Sequence, residues 1–116
     1  MPLKADRSSL ESGVELIKLA GGLTLGRDSQ HLEMLIEELI KNNQTRIVLD
    51  LAEVSFVDSA GVGILIGSHG KVLTAGGHLR LATLAPRVLN ILKISKVDKI
   101  LALDATVADS LAALAA

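Results

Sequence analysis

The sequence predicts one α/β domain in which a mostly parallel or mixed β-sheet of four to five strands is covered by about four α-helices. Segments with the apolar pattern of strands alternate along the chain with segments of helical apolar spacing. Each parallel connection needs a crossover, usually a helix, so this alternation is typical of a parallel sheet. A length of 116 residues fits a single domain.

The first half of the chain predicts a strand, a helix and a second strand. Apolar residues largely alternate over 14–19, as in a half-buried strand, and the glycine pair at 21–22 is expected to stop or bulge it. Over 29–41 the apolar residues are spaced as one helical face. Residues 47–51 are nearly all apolar, which indicates a central strand covered on both faces.

The second half of the chain continues the alternation of helices and strands. An amphipathic run over 62–73 predicts a helix with Leu73 on its inner face. The spacing of Gly63, Gly67 and Gly70 predicts a smooth helix face in close contact with the sheet. The remaining elements are expected as a strand at 79–81, a helix beginning near Pro86, a strand at 100–103 and a helix at 106–114.

Capping residues mark three of the helix starts. Asp28 or Ser29 is the expected N-cap of the first helix. Thr106, followed three positions later by Asp109, resembles a capping box for the last one. The second helix follows Asp58 and Ser59, and either side chain could satisfy its first free amides.

Ahead of the first strand, residues 1–12 mix charges with no apolar run, so we expect a flexible N-terminal segment there and the folded domain over 13–116. No signal peptide is expected for the same reason. The longest apolar stretch, 60–67, is too short to span a bilayer. We therefore expect a cytoplasmic protein with no membrane partner.

The composition excludes several classes of function. Aromatic residues make up 1% of the chain and the net charge is -1, which argues against direct nucleic-acid binding by stacking or by phosphate attraction. There is no cysteine, so thiolate chemistry and cysteine-based metal sites are excluded. The histidines are isolated from one another and from carboxylate clusters. No metal and no cofactor is expected.

Two enzymatic interpretations of the central segment fail on spacing. A serine hydrolase built on Ser59 would need Gly-x-Ser-x-Gly, but Val57 stands where the first glycine belongs. The other residue types of a triad occur at Asp50, Asp58, His69 and His78. A dinucleotide-binding fingerprint beginning at Gly61 would need its third glycine where Ile66 stands. An enzyme is therefore not expected.

The hydroxyl of Ser59 keeps two interpretations open. It lies where a loop meets a helix start, at the carboxyl end of a strand, which is where α/β sheets place functional loops. It could simply cap the helix. Alternatively, the hydroxyl is presented for phosphorylation at a positive helix end, where the fold would tolerate the added phosphate.

The segment 47–63, which reads IVLDLAEVSFVDSAGVG, closely resembles the central motif of the STAS domain family, and most of all its stand-alone bacterial anti-sigma factor antagonists. The order of elements over nearly the whole chain is also similar. The resemblance implies that Ser59 accepts phosphate from an anti-sigma factor that is also a serine kinase. Unphosphorylated protein would bind that kinase and free the sigma factor, and a serine phosphatase would restore binding after phosphorylation.

The same resemblance implies roles for the residues around Ser59. Asp58 would hold the turn and help present Ser59, and Gly61 would leave the helix start open to the kinase. Val62 would offer an apolar contact near the turn, although core packing would explain it equally well. Many antagonists carry Gly-Glu-Leu-Asp after the first strand, whereas this chain has Gly-Gly-Leu-Thr at 21–24, so its recognition surface differs. We expect a monomer or weak dimer.

An alternative interpretation is a STAS adapter subunit of a transport or signalling assembly. In that case Ser59 would be only a helix cap.

Overall fold

A computed structural model describes residues 2–115 and gives a five-stranded sheet with four helices. In chain order the elements are β1 (Lys4–Ser9), β2 (Glu15–Leu23), α1 (Arg27–Lys41), β3 (Arg46–Val57), α2 (Ser59–Thr74), β4 (His78–Ala82), α3 (Pro86–Ile94), β5 (Ala102–Asp104) and α4 (Val107–Ala115). None of the helices in this part of the chain is long and apolar enough to cross a membrane.

The strands lie in the sheet in their sequence order, β1-β2-β3-β4-β5. β1 is antiparallel to β2, and the other three pairings are parallel. The register of β2 on β3 shifts between Lys18 and Ala20 and again between Gly21 and Gly22, which confirms the bulge expected at the glycine pair. The predicted α/β class with a mostly parallel, mixed sheet is confirmed.

Two apolar clusters hold the layers together. The larger one joins α1, α2 and α3 to one face of the sheet through side chains such as Ile36, Leu65 and Leu92, each at most 1% exposed. Right-handed crossovers between successive parallel neighbours place the connecting helices on a single face in this way. The smaller cluster joins α4 to the other face, with Leu114 packed near Val48.

The first strand corrects the expectation of a flexible segment at 1–12, because Lys4–Ser9 pair with β2 along their whole length. All six side chains are exposed, so this edge strand is held by backbone hydrogen bonds and leaves no apolar alternation in the sequence. Arg7 Nε also donates to the buried Glu15 at 2.9 Å.

Two expectations about which residues of α2 face inward are also wrong. Its inward stripe is formed by Gly61, Ile64, Leu65, Ser68 and Val72. The three glycines at 63, 67 and 70 lie on the exposed side, where an added Cβ would meet nothing within 4 Å. Leu73, expected to face inward, is 54% exposed.

The predicted start of the last helix is confirmed, whereas the predicted cap of the first helix is wrong. Gly26, and neither Asp28 nor Ser29, is the N-cap of α1, and no side chain caps it. The last helix begins as expected, since the Asp109 N–H donates to Thr106 Oγ1 at 3.0 Å. β5 begins two residues later than predicted, at Ala102.

Candidate functional site

The turn between β3 and α2 lies at the carboxyl edge of the sheet. β3 ends at Val57, Asp58 is extended, and α2 starts at Ser59. β2 runs parallel to β3 and ends at Leu23, so the loop that follows it reaches the same edge. This places residues 24–26 beside the turn.

Asp58 joins the turn to that loop with both oxygens of its carboxylate. Oδ1 accepts the Gly61 N–H at 2.8 Å and so caps α2. Oδ2 accepts the Leu25 N–H at 3.0 Å, and the Asp58 N–H in turn donates to the Leu23 carbonyl at 3.3 Å. Because one side chain fixes both segments, the backbone around Ser59 is held in a single geometry.

The same contacts determine the ionisation of Asp58. The N–H groups of Leu25 and then of Gly61 stabilise the carboxylate, which lowers the pKa of Asp58 below its usual 3.8. The group is therefore fully ionised at neutral pH, and a negative charge is present one residue before Ser59.

Gly61 is required by a close approach of backbones. A Cβ at this position would lie 2.0 Å from the Leu23 carbonyl oxygen and 3.0 Å from Val57 Cγ1. Gly61 is buried, so it provides the contact between the end of β2 and α2. Close packing of the backbone accounts for this glycine, and its role toward a partner stays a prediction.

Ser59 is exposed at the first position of α2. The N-cap is Asp58, so the interpretation of Ser59 as the helix cap is wrong and its hydroxyl is not needed for capping. Val62, one turn on, is half-buried and packs against the larger core. The turn thus combines one exposed hydroxyl with one carboxylate and a partly exposed apolar side chain.

Apart from Asp58, the other residues of a possible hydrolytic triad do not gather around Ser59. His69 lies ten positions further along α2, about 15 Å along the helix axis. His78 begins β4, at the opposite edge of the sheet from the carboxyl ends of the strands. Asp50 lies within β3 and accepts the Ala52 N–H at 3.0 Å.

The sequence itself matches the STAS domain model over residues 11–110, which includes every element except β1 and the end of α4. The chain belongs to the STAS domain family. A curated relative, the anti-sigma F factor antagonist of Paenibacillus polymyxa, is 31% identical over 90 residues, which is 77% of this chain and 76% of the relative.

Solved structures show the same fold for this STAS domain. An anti-sigma factor antagonist from Mycobacterium paratuberculosis superposes with a TM-score of 0.81 at 22% identity, covering 97% of this chain and 93% of that one. The Bacillus cell fate determinant SpoIIAA in its phosphorylated form superposes with a TM-score of 0.73 at 20% identity, covering 95% and 98%.

One residue of the STAS domain site could not be found from the sequence. Leu25 lies next to the turn because its N–H binds Asp58, and it is 81% exposed, the highest value among the exposed large apolar side chains. The two residues are 33 positions apart, and no local pattern indicates the contact. Together, Leu25 and Val62 give the surface near Ser59 an apolar character.

Proposed function

We propose that this STAS domain is an anti-sigma factor antagonist whose activity is switched at Ser59. In the unphosphorylated state it binds an anti-sigma factor that is also a serine kinase, and the sigma factor is freed. Phosphorylation of Ser59 ends that complex and a serine phosphatase restores it. The observation that carries the proposal is an exposed serine at a helix start whose capping is already performed by Asp58.

The family relationships support the proposal. The Paenibacillus polymyxa relative is named as an anti-sigma F factor antagonist, and SpoIIAA has a phosphorylated form. An antagonist acts as a substrate and a competitor for the kinase, so we propose no catalytic activity and no cofactor for this chain. An anti-sigma factor controls transcription, so we propose that the complex forms in the cytoplasm.

Electrostatics explain how phosphate would switch binding without unfolding the domain. Ser59 is exposed, so a phosphate of charge about -2 has room and faces the positive end of α2. The ionised Asp58 lies beside it, so the two groups would repel an acidic partner surface and would be costly to desolvate against an apolar one. A loss of about 3 kcal/mol would weaken the complex over a hundredfold.

The partner surface that we propose extends from Asp58 and Ser59 to the apolar side chains of Val62 and Leu25. Gly61 lies beneath this surface and is buried against the end of β2. The loop before Leu25 differs from that of many antagonists, and we propose that this difference adapts the domain to its own kinase.

The test uses the full chain, ATP and the serine-kinase-type anti-sigma factors of the source organism. We expect one of them to bind the unmodified protein and to add a single phosphoryl group, detected by intact mass. Ser59→Ala should stay unmodified and bound in the presence of ATP, and Ser59→Asp should bind at least about tenfold more weakly. Ser55→Ala, which changes an exposed serine of β3, is the matched control.

An unchanged mass with every kinase would refute the phosphorylation switch. The adapter interpretation makes a different prediction, since Ser59→Ala and Ser59→Asp would then bind the partner as the wild type does. Recovery of a transport assembly with the wild type, with Ser59→Ala and with Ser59→Asp would favour the adapter interpretation.

A further inference from the structure

A second surface of this domain, at the carboxyl end of α3, carries a concentrated positive charge. Residues 93–100 hold three basic side chains and one acidic side chain, a net charge of +2, whereas the whole chain has a net charge of -1. The rest of the molecule therefore carries -3. Such a separation of charge favours an anionic partner at one end of the molecule.

Two large apolar side chains are exposed within this charged region. Ile94 is 72% exposed and Ile100 is 56% exposed. Exposed lysines flank both isoleucines, and we define the α3 patch as Lys93, Ile94, Lys96, Lys99 and Ile100. Apolar side chains surrounded by charge are typical of binding surfaces.

Part of the α3 patch lines a depression. Lys93, Lys96, Asp98 and Lys99 line a depression of about 480 Å³. In residues 2–115 no ion pair involves any of the three lysines, whereas Lys71 near the end of α2 pairs with Glu37 at 2.8 Å. The charges of the patch are therefore available to another molecule.

Helix capping does not account for these lysines. One basic residue occurs in the last turn of each of α1, α2 and α3, where it offsets the helix dipole. In α3 that residue is Lys93, but Lys96 and Lys99 lie beyond the helix end. Their presence needs a different explanation.

Lys96 is also unfavourable for the backbone. The first three helices end in the same hydrogen-bonded turn, with a left-handed residue that is Asn43 after α1 (φ 58°), Gly76 after α2 (φ 86°) and Lys96 after α3 (φ 61°). Glycine and asparagine are the residues that this position favours. A lysine there adds strain, which favours a role for its side chain outside the fold.

We propose that the α3 patch docks an acidic segment of a partner protein, with apolar side chains of that segment in contact with the exposed Ile94 and Ile100. The lysines would pair with the carboxylates of the segment. A depression of this kind fits a projecting protein segment better than it fits a flat anionic bilayer.

The α3 patch lies away from the turn at Asp58 and Ser59. Ser59 follows the carboxyl end of β3, whereas residues 95–100 precede the amino end of β5, which belongs to the same parallel set of strands. The two surfaces are therefore at opposite edges of the sheet. Docking at the patch would proceed whatever the state of Ser59.

The test selects short peptides from a displayed random library on the wild-type domain, after removing those that bind the variant with Lys93→Gln, Lys96→Gln and Lys99→Gln combined. We expect peptides rich in Asp and Glu with a Leu, Ile or Phe. The triple variant and Ile94→Ser should each bind a selected peptide about tenfold more weakly, and salt should weaken wild-type binding. Ser59→Asp should bind it as the wild type does.

Two single variants separate docking from stability. Lys96→Gly should raise the thermal midpoint yet weaken peptide binding, a combination that a structural role for Lys96 would not give. Lys41→Gln, at the end of α1, should leave binding unchanged. Selection of peptides without acidic residues, equal weakening by Lys41→Gln, or binding only to phosphatidylserine vesicles would overturn the proposal.

Discussion

At the scale of single residues, Asp58 caps α2 and binds the loop after β2, whereas the cap does not require the Ser59 hydroxyl. The Asp58 carboxylate holds two N–H groups from different segments, while Ser59 is exposed beside it. Mutation can distinguish the two roles, because only the change at Asp58 should lower the free energy of unfolding.

We expect Asp58→Ala to lower the free energy of unfolding by about 1–2 kcal/mol, since it removes the N-cap of α2 and the bond to Leu25. Ser59→Ala should change it by less than about 0.5 kcal/mol. Urea denaturation followed by circular dichroism measures both. An equal loss in the two variants would contradict the assignment of the cap to Asp58.

The glycines of α2 provide a second comparison of this kind. Gly61→Ala should destabilise the domain by about 1–3 kcal/mol, because the new methyl group would meet the Leu23 carbonyl. Gly67→Ala, where a Cβ has open space, should instead stabilise it by up to about 1 kcal/mol. The same denaturation experiment decides, and opposite signs are the expected result.

At the scale of elements, the short strand β5 depends on one carboxylate. Asp104 accepts Arg80 Nε at 2.6 Å and the Ser110 hydroxyl at 2.7 Å, so it connects β4, β5 and α4. The guanidinium of Arg80, followed by the Ser110 hydroxyl, holds the pKa of Asp104 below its usual 3.8. A strand of three residues gains an anchor in this way.

The lowered pKa of Asp104 predicts a pH dependence. A carboxylate whose pKa is lower in the folded state adds stability above its unfolded pKa, and this stability is lost as pH falls through the folded value. Asp104→Asn should therefore cost about 1–2 kcal/mol at neutral pH, and the gap to the wild type should narrow as pH falls below 3.8. Asp6→Asn, in the exposed edge strand, is the control for a general charge effect.

The elements also show which parts of the fold the sequence can predict. The helix α1 and the strand β3 are visible because their apolar residues repeat at the spacing of a buried face. β1 buries no side chain, so its pairing through the backbone leaves no such pattern. The exposed glycines of α2 were misplaced because glycine spacing alone does not indicate which face of a helix is buried.

At the scale of the whole molecule, the proposed switch and the proposed docking patch occupy opposite edges of one sheet. The family and the position of Ser59 could be predicted from the contiguous motif at 47–63. The contact between Asp58 and Leu25 could not, because it depends on how two parallel strands end side by side.

If the phosphate changes only the surface, the global fold should not respond to a negative charge at Ser59. We expect Ser59→Asp to shift the thermal midpoint by no more than a few degrees, because the added charge is exposed and faces the positive end of α2. Differential scanning calorimetry measures this. A large fall in the midpoint would mean that loss of binding reflects unfolding.

The carboxylate of Asp58 also makes the turn observable in solution. Because its two oxygens each accept a different backbone N–H, the amide resonances of Leu25 and Gly61 should move together in a nuclear magnetic resonance titration, with one shared midpoint below pH 3.8. Amides 36 positions apart in the chain would thus report a single protonation event. The same pair of signals would register any partner that disturbs the turn.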